Sequence, residues 1–355
     1  MKLFLPPVPP EPNSSRQFAA WVAVALAGAL ALLMLLSGCD HNHNHAPVTF
    51  VEPSPPVVAS PVIPATVPVD GPVITSADQI PDEMILAEIE AASKGEQASA
   101  NRLVVFADNY PGTGMQLRGC VNDGRDIAVH LVRSGAVTSR EVRLLTDQRC
   151  TAAAMRAGIK WALADAKPGD LRIIFYSGHG AQTAEGAAGE RDRLIEVWCP
   201  FDFDWSPERY ISDKELYAAL AAVPKGVRLV VLSDSCHAGG MDRLEITKTK
   251  RPKTVVPPPE IVARTRKAQR AALGGMIDAQ FGLACRENEL SADTQDSNGR
   301  PCGAFTHYFL IALRAKPALT FKQLIQSTGS RMRAEGYGDQ TPQAEGGGID
   351  RPFLQ

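Results

Sequence analysis

From Asn101 onward, short apolar runs alternate with stretches of helical periodicity. Arg102–Ala107 (RLVVFA), Glu141–Thr146 (EVRLLT), Leu171–Ser177 (LRIIFYS), Val227–Ser233 (VRLVVLS) and Gln280–Cys285 (QFGLAC) carry apolar residues on consecutive positions. That pattern predicts strands covered on both faces. Gly119–Ser134, Thr151–Lys167, Ser212–Ala222, Gly303–Ala315 and Thr320–Glu335 repeat apolar residues at helical spacing, with Ser212 and Thr320 placed as N-caps. Strand and helix in alternation predict an α/β fold, a mostly parallel sheet flanked by helices on both faces. Ligands of such sheets sit outside the C-terminal strand ends. The residues just after each strand are therefore where chemistry is expected.

Before Asn101 the pattern differs. Phe18–Leu36 is 19 residues without a charge, preceded by Lys2 and Arg16. That is a basic segment followed by an apolar one, close to the length that spans a bilayer. It ends in Leu36-Ser37-Gly38-Cys39, which resembles a bacterial lipobox, with Cys39 as the lipid attachment site; the alternative is an uncleaved signal anchor. Residues 1–39 are thus expected to be a signal segment. Either way the remainder is expected outside the cytoplasm, membrane-anchored on the periplasmic side of the cell envelope. Nine Pro fall between Ala46 and Glu83, too dense for helix or central strand. Residues 40–99 are accordingly expected to form a flexible stalk, and 100–355 the globular domain. His41, His43 and His45 in that stalk read as spacer composition rather than a metal site.

Composition narrows the classes. The 355 residues carry 37 Lys+Arg against 39 Asp+Glu, a net charge of −2, which excludes a strongly basic nucleic-acid binder. At 45% apolar and 21% charged, the chain as a whole is not disordered. Seven Cys are too few for a disulfide scaffold. Cys285 and Cys302 flank a polar loop that a bridge between them would clamp.

Two strand ends carry chemistry. The third strand runs into Tyr176-Ser177-Gly178-His179-Gly180, the fourth into Asp234-Ser235-Cys236-His237-Ala238-Gly239. A Cys and a His at adjacent strand ends, among small residues that admit a peptide backbone, form a nucleophile and its base. His179 can face Cys236 across the loops, whereas neighbouring side chains such as those of Cys236 and His237 diverge.

These motifs together resemble the caspase–haemoglobinase clan, and within it the type I metacaspases and their bacterial caspase-like relatives. Leu117–Asp123 (LRGCVND), Glu196–Asp202 (EVWCPFD), Ala284–Thr294 (ACRENELSADT), Gly303–Leu313 and Gln340–Gln343 (QTPQ) extend the resemblance from Asn101 to the C-terminus. It implies a cysteine endopeptidase acting on polypeptides, with Cys236 attacking the carbonyl and His179 as base. It further implies an oxyanion hole from the N–H groups of Gly180 and Cys236, and a monomer. Asp123 and Asp234, with Ser177, are the implied substrate-binding residues, and two acids suit Arg or Lys at P1. No cofactor is required by this chemistry. Many relatives bind calcium, but Glu185–Glu196 mixes Arg and Ile among its acids, so calcium dependence is not expected.

Between the two halves of the domain, 240–279 reads as a basic inter-subunit loop. Residues 241–270 hold nine Lys/Arg against three Asp/Glu and include Pro257, Pro258 and Pro259. If the specificity is for Lys or Arg, an exposed loop of this kind is where self-cleavage is expected, after residues such as Lys248, Lys250 or Arg266, with Arg251 spared because Pro252 follows. The other reading of the whole chain is a catalytically idle caspase-like module that binds peptides or partners on a membrane tether.

Overall fold

The computed structural model describes residues 81–92, 99–185, 193–236, 251–255, 257–261, 269–270, 277–286 and 289–354. The chain divides into units 1–69 and 70–355, and all described residues lie in the second. Cys39, the apolar segment before it, His237, Lys248, Lys250 and Arg266 lie outside the described residues, as do residues 186–192 of the stretch weighed for calcium.

The domain begins earlier than its composition predicts. Helix α1 (Asp82–Ala92) lies inside the expected 40–99 stalk, and its Ile85 and Ile89, four residues apart on one face, are buried. They join the core beneath the sheet. Pro81 sits just ahead of the helix, and Asp82 and Glu83 in its first turn complement the positive helix end. The proline density that reads as stalk therefore stops at Pro81.

Among the described residues the central sheet holds six strands. They are β1 (Asn101–Ala107), β2 (Val142–Thr146), β3 (Leu171–Ser177), β7 (Arg228–Asp234), β10 (Ala279–Leu283) and β13 (Gln343–Glu345). Their order is β13-β10-β7-β3-β1-β2. All neighbours run parallel except β13, which is antiparallel to β10. β1 and β3 neighbour each other while their crossovers depart to opposite sides, so the strand order reverses there, where doubly wound sheets place ligands. Helices α2 (Cys120–Arg133), α5 (Ala304–Ala315) and α6 (Phe321–Ala334), with α1, bury one face around Leu103, Val105, Phe305 and Phe309. Helices α3 (Ala152–Leu163) and α4 (Asp213–Ala221) bury the other around Val104, Phe106, Ile174 and Val231. This two-faced burial is why those strands read as continuous apolar runs. Thr151, Ser212 and Thr320 cap α3, α4 and α6 with side-chain hydrogen bonds.

Two smaller sheets rise from the strand ends. β4 (Gly180–Glu185), β5 (Arg193–Trp198) and β6 (Ile211–Ser212) form an antiparallel run that also takes in β9 (Gln269–Arg270). β8 (Arg251–Pro252), β11 (Ala292–Gln295) and β12 (Pro301–Gly303) form the other. The sequence pattern does not mark these as strands; β6, β8, β9, β11 and β12 are only two to four residues long. Part of the basic loop is therefore a strand, not an exposed loop. Lys253, just after β8, is fully buried.

Candidate active site

The register of β3 on β7 pairs Ser177 with Asp234. His179 and Cys236 each lie two residues beyond that pair, so the sheet itself brings the two strand ends side by side. Gly178 donates to the Asp234 carbonyl at 3.4 Å, and a methyl group on Gly178 would run into the hydroxyls of Tyr176 and Tyr110. Glycine there is a packing requirement.

His179 is held from every side. Its N–H donates to the Tyr110 hydroxyl at 2.8 Å, and its carbonyl accepts from the Tyr176 hydroxyl at 2.6 Å. Its ring lies 4.7 Å from that of Tyr110. Nε2 is 2.6 Å from the Met115 carbonyl. A carbonyl only accepts, so Nε2 carries the proton and the lone pair of the neutral ring resides on Nδ1. Nδ1 is buried and has no hydrogen-bond partner. Burial pulls the imidazole pKa down to about 4; the Met115 carbonyl opposes this, the Lys253 charge adds to it, and the Lys253 carbonyl opposes it. The ring is neutral, with Nε2 on the Met115 carbonyl and the Lys253 carbonyl also beside the ring.

Cys236 is fully buried. Burial pushes its thiol up to about 12, against lowering contributions from the Ser291 backbone, the Thr254 hydroxyl and the Lys253 charge. In this arrangement the thiol is protonated at neutral pH.

Asp123 and Asp234 converge on one ammonium group, that of Lys253. Lys253 Nζ lies 3.1 Å from Asp123 and 2.9 Å from Asp234, and it donates to Ser177 Oγ at 3.0 Å. All three ammonium donors are used. Each carboxylate is fixed in turn. Asp123 accepts from Ser177 Oγ at 2.8 Å and the Gly303 N–H at 2.7 Å. Asp234 accepts from Ser291 Oγ at 2.8 Å, and from the Thr306 N–H and hydroxyl at 3.0 and 2.6 Å. Asp123 is in the first turn of α2, but the N-cap is Gly119, so it faces the pocket rather than capping its helix. Burial raises the Asp123 carboxyl to about 7, with Lys253 opposing and Asp234 adding to the rise. Burial also works against the Lys253 ammonium, yet the surrounding charges, Asp234 foremost, hold its pKa well above the lysine range. A buried ammonium between two carboxylates is tolerable only with this complete set of partners. A methyl group on Gly303 would overlap the ends of Asp234, Lys253 and Asp123, so that glycine makes the room.

The backbone of the same lysine lies along the two strand ends. Its carbonyl accepts from the Gly180 N–H at 3.0 Å and the Cys236 N–H at 3.3 Å, and its N–H donates to the Ser291 carbonyl at 3.0 Å. Before it, Arg251 and Pro252 pair antiparallel with Asp293 and Ala292. After it, Thr254 forms a parallel bridge with Gly180. Arg251 donates to the Gln116 carbonyl from an exposed position. Thus Cys236, His179, Gly180, Ser177, Asp123 and Asp234 come together. Gly303, Ser291, Thr306, Met115 and Tyr110 complete the site, all of them missed from sequence. Among the described basic residues of the loop it is Lys253 that reaches Asp123 and Asp234.

The structure answers the pairing that the sequence leaves open. Cys285 and Cys302 are both free and buried, and no bridge joins them. The Cys285 thiol instead donates to the Glu289 carbonyl at 3.4 Å. Among the described residues no group of three or more His, Cys, Asp or Glu is disposed to hold a metal ion.

Residues 101–354 match the family described as Caspase domain. Metacaspase-1 of Cryptococcus neoformans is 27% identical over 279 residues, 66% of this chain and 60% of that protein. Metacaspase-1 of Saccharomyces cerevisiae is 27% identical over 288 residues, 68% and 65% of the two chains. The match thus spans less than two thirds of the length of these relatives. A crystal structure of a Geobacter sulfurreducens protein superposes with a TM-score of 0.53 at 27% identity, covering 72% of this chain and 96% of that one.

Proposed function

Since the chain belongs to the caspase domain family, we infer that it is a cysteine endopeptidase that cuts after Lys or Arg. The observation that carries this reading is the seating of Lys253. One residue puts its ammonium on Asp123, Ser177 and Asp234 and its carbonyl oxygen on the N–H groups of Gly180 and Cys236. That is how a substrate residue at P1 must sit, with the side chain in a pocket and the carbonyl polarised beside the nucleophile. The loop backbone adds as a strand to β11, which is how extended peptides dock on sheet edges.

His179 Nδ1 takes the thiol proton as Cys236 Sγ bonds to the carbonyl carbon, and the two N–H groups hold the negative oxygen. The tetrahedral adduct collapses, breaking the C–N bond as the imidazolium returns its proton to the departing amine. Water, deprotonated by the same imidazole, then hydrolyses the thioester and frees the thiol. The chain is its own first substrate in this reading, cut between Lys253 and Thr254. Cys39 carries the lipid anchor, and the enzyme works as a monomer on the periplasmic side.

Matched peptides varying only at P1 test the specificity. Cleavage after Lys and Arg is expected, and cleavage after Asp would overturn it. N-terminal sequencing of the incubated chain should find Thr254 as a new terminus in wild type and not in Cys236→Ala. Fatty-acid labelling lost in Cys39→Ser tests the anchor.

A further inference from the structure

Lys253 occupies one side of the site; the residues after it continue across the other. The Thr254 hydroxyl donates to the Gly180 carbonyl at 3.2 Å, and the Val255 N–H donates to the same oxygen at 3.4 Å. Gly180 therefore clasps the chain twice, through its N–H before the Lys253–Thr254 bond and through its carbonyl after it. Successive side chains of an extended segment point opposite ways. Thr254 turns toward the nucleophile, where its hydroxyl lowers the Cys236 thiol pKa. Val255 turns elsewhere. It packs against a small apolar cluster separate from the two main cores, made of Ala181, Ile195, Val197, Cys199 and Tyr210.

Two aromatic residues, Phe203 and Trp205, lie on the same cluster, their ring centroids 4.9 Å apart. Trp205 adopts φ +71°, a conformation costly for a bulky side chain and retained only where surrounding contacts fix it. The loop that carries it is tied by Asp204, which accepts from the Ser206 N–H at 3.0 Å. An apolar surface is thus built two residues beyond the bond that faces Cys236, with a valine already on it.

We propose that this cluster is a second specificity pocket of the enzyme, on the leaving-group side, that takes an aliphatic residue at P2′ of a polypeptide substrate. The proposal rests on the reading of Lys253 as the P1 residue, which fixes Val255 as P2′. Apolar contact there orients the departing half of the substrate, so that its amine is released beside His179. A charged P2′ side chain would surrender its hydration to a mainly apolar surface.

Three measurements on the full-length chain decide it. The first substrate is a P1-Lys peptidyl amide of a fluorescent amine, which ends at the cleaved bond and has no P2′ residue. The second and third are the peptides Arg-Pro-Lys-Thr-Val and Arg-Pro-Lys-Thr-Asp, extended identically at both ends. Cleavage of the amide, with kcat/KM about tenfold or more higher for the Val than for the Asp peptide, is expected from burial of one aliphatic side chain. Cleavage of the amide with equal rates on both peptides overturns the pocket and leaves the proteolytic reading intact. Failure on all three overturns the proteolytic reading and the pocket with it. In the chain itself, Val255→Asp should slow appearance of the Thr254 terminus by a similar factor while amide cleavage persists, and an unchanged rate would count against the pocket.

Discussion

The Cys236 N–H donates to the Lys253 carbonyl at 3.3 Å, so the residue whose ammonium lies between Asp123 and Asp234 also lays its carbonyl against Cys236. The Cys236 thiol and the His179 ring are both uncharged while the segment stays.

In the proposed mechanism His179 is the base, with Nε2 held on the Met115 carbonyl and Nδ1 left to take the thiol proton. Cys236→Ala and His179→Ala should each abolish peptide hydrolysis with near-native circular dichroism. His237→Ala should retain substantial activity. Equal loss in all three variants would remove His179 from the role.

The pocket acids should act on binding charge rather than on the chemistry. Asp123→Ala removes one charge-assisted hydrogen bond to a P1 cation, worth about 1.5–3 kcal/mol. At 1.4 kcal/mol per decade, kcat/KM for a P1-Lys or P1-Arg peptide should fall by roughly one to two orders of magnitude. A small activated ester, which leaves the pocket empty, should be hydrolysed at close to the wild-type rate. An unchanged preference for Lys in the variant would refute the pocket.

Gly303→Ala tests the same pocket by volume. The added methyl overlaps the place of the lysine ammonium, so cleavage after Lys should drop at least tenfold while the ester reaction persists. Lys253 should also lose its seat, and limited proteolysis with an added trypsin-like enzyme should cut after it faster than in the Cys236→Ala chain. A variant that handles P1 Lys normally would show that the substrate side chain goes elsewhere.

The titration of Cys236 gives a pH test with a definite sign. Burial is the largest influence raising its thiol to about 12, while the Lys253 charge works the other way. Replacing Lys253 by Gln removes the ion pairs that hold the segment down. Undocking then relieves burial, the larger effect, so the thiol pKa falls. The thiolate is the reactive form, so iodoacetamide should alkylate Cys236 faster in Lys253→Gln than in wild type at pH 7–8, with its pH midpoint shifted downward. Measured by mass spectrometry on uncut chain, a midpoint shifted upward would overturn the masking.

What could be read from the sequence was what the strands write locally. Runs such as Leu171–Ser177 are buried on both faces, so their composition announces them, and the residues that follow them carry the reactive groups. The floor of the pocket is assembled from distant segments. Ser291, Gly303 and Thr306 act only because their backbones bring them under Asp123 and Asp234, and none differs locally from an ordinary turn or helix start. Lys253 was hidden differently. Its neighbours are basic and proline-rich, which reads as solvated loop, and only the pairing of Arg251 and Pro252 with β11 selects it over the other cations. Helix α1 did leave a signal, Ile85 and Ile89 at helical spacing, but the prolines upstream masked it.

The five residues from Arg251 to Val255 are shared between two separate sheets, the first two pairing with β11 and the last two held by Gly180 at the start of β4. While the chain is whole, this segment is tethered at both ends, and its local concentration at the site is on the order of millimolar. An incoming polypeptide would compete against that. Once the bond between Lys253 and Thr254 is broken, each new end has a single tether and belongs to a different sheet, so the two ends can leave independently. The cut would therefore turn a cooperative occupant into two weak ones, and the enzyme's response to its substrate would depend on the age of each molecule as much as on its amount.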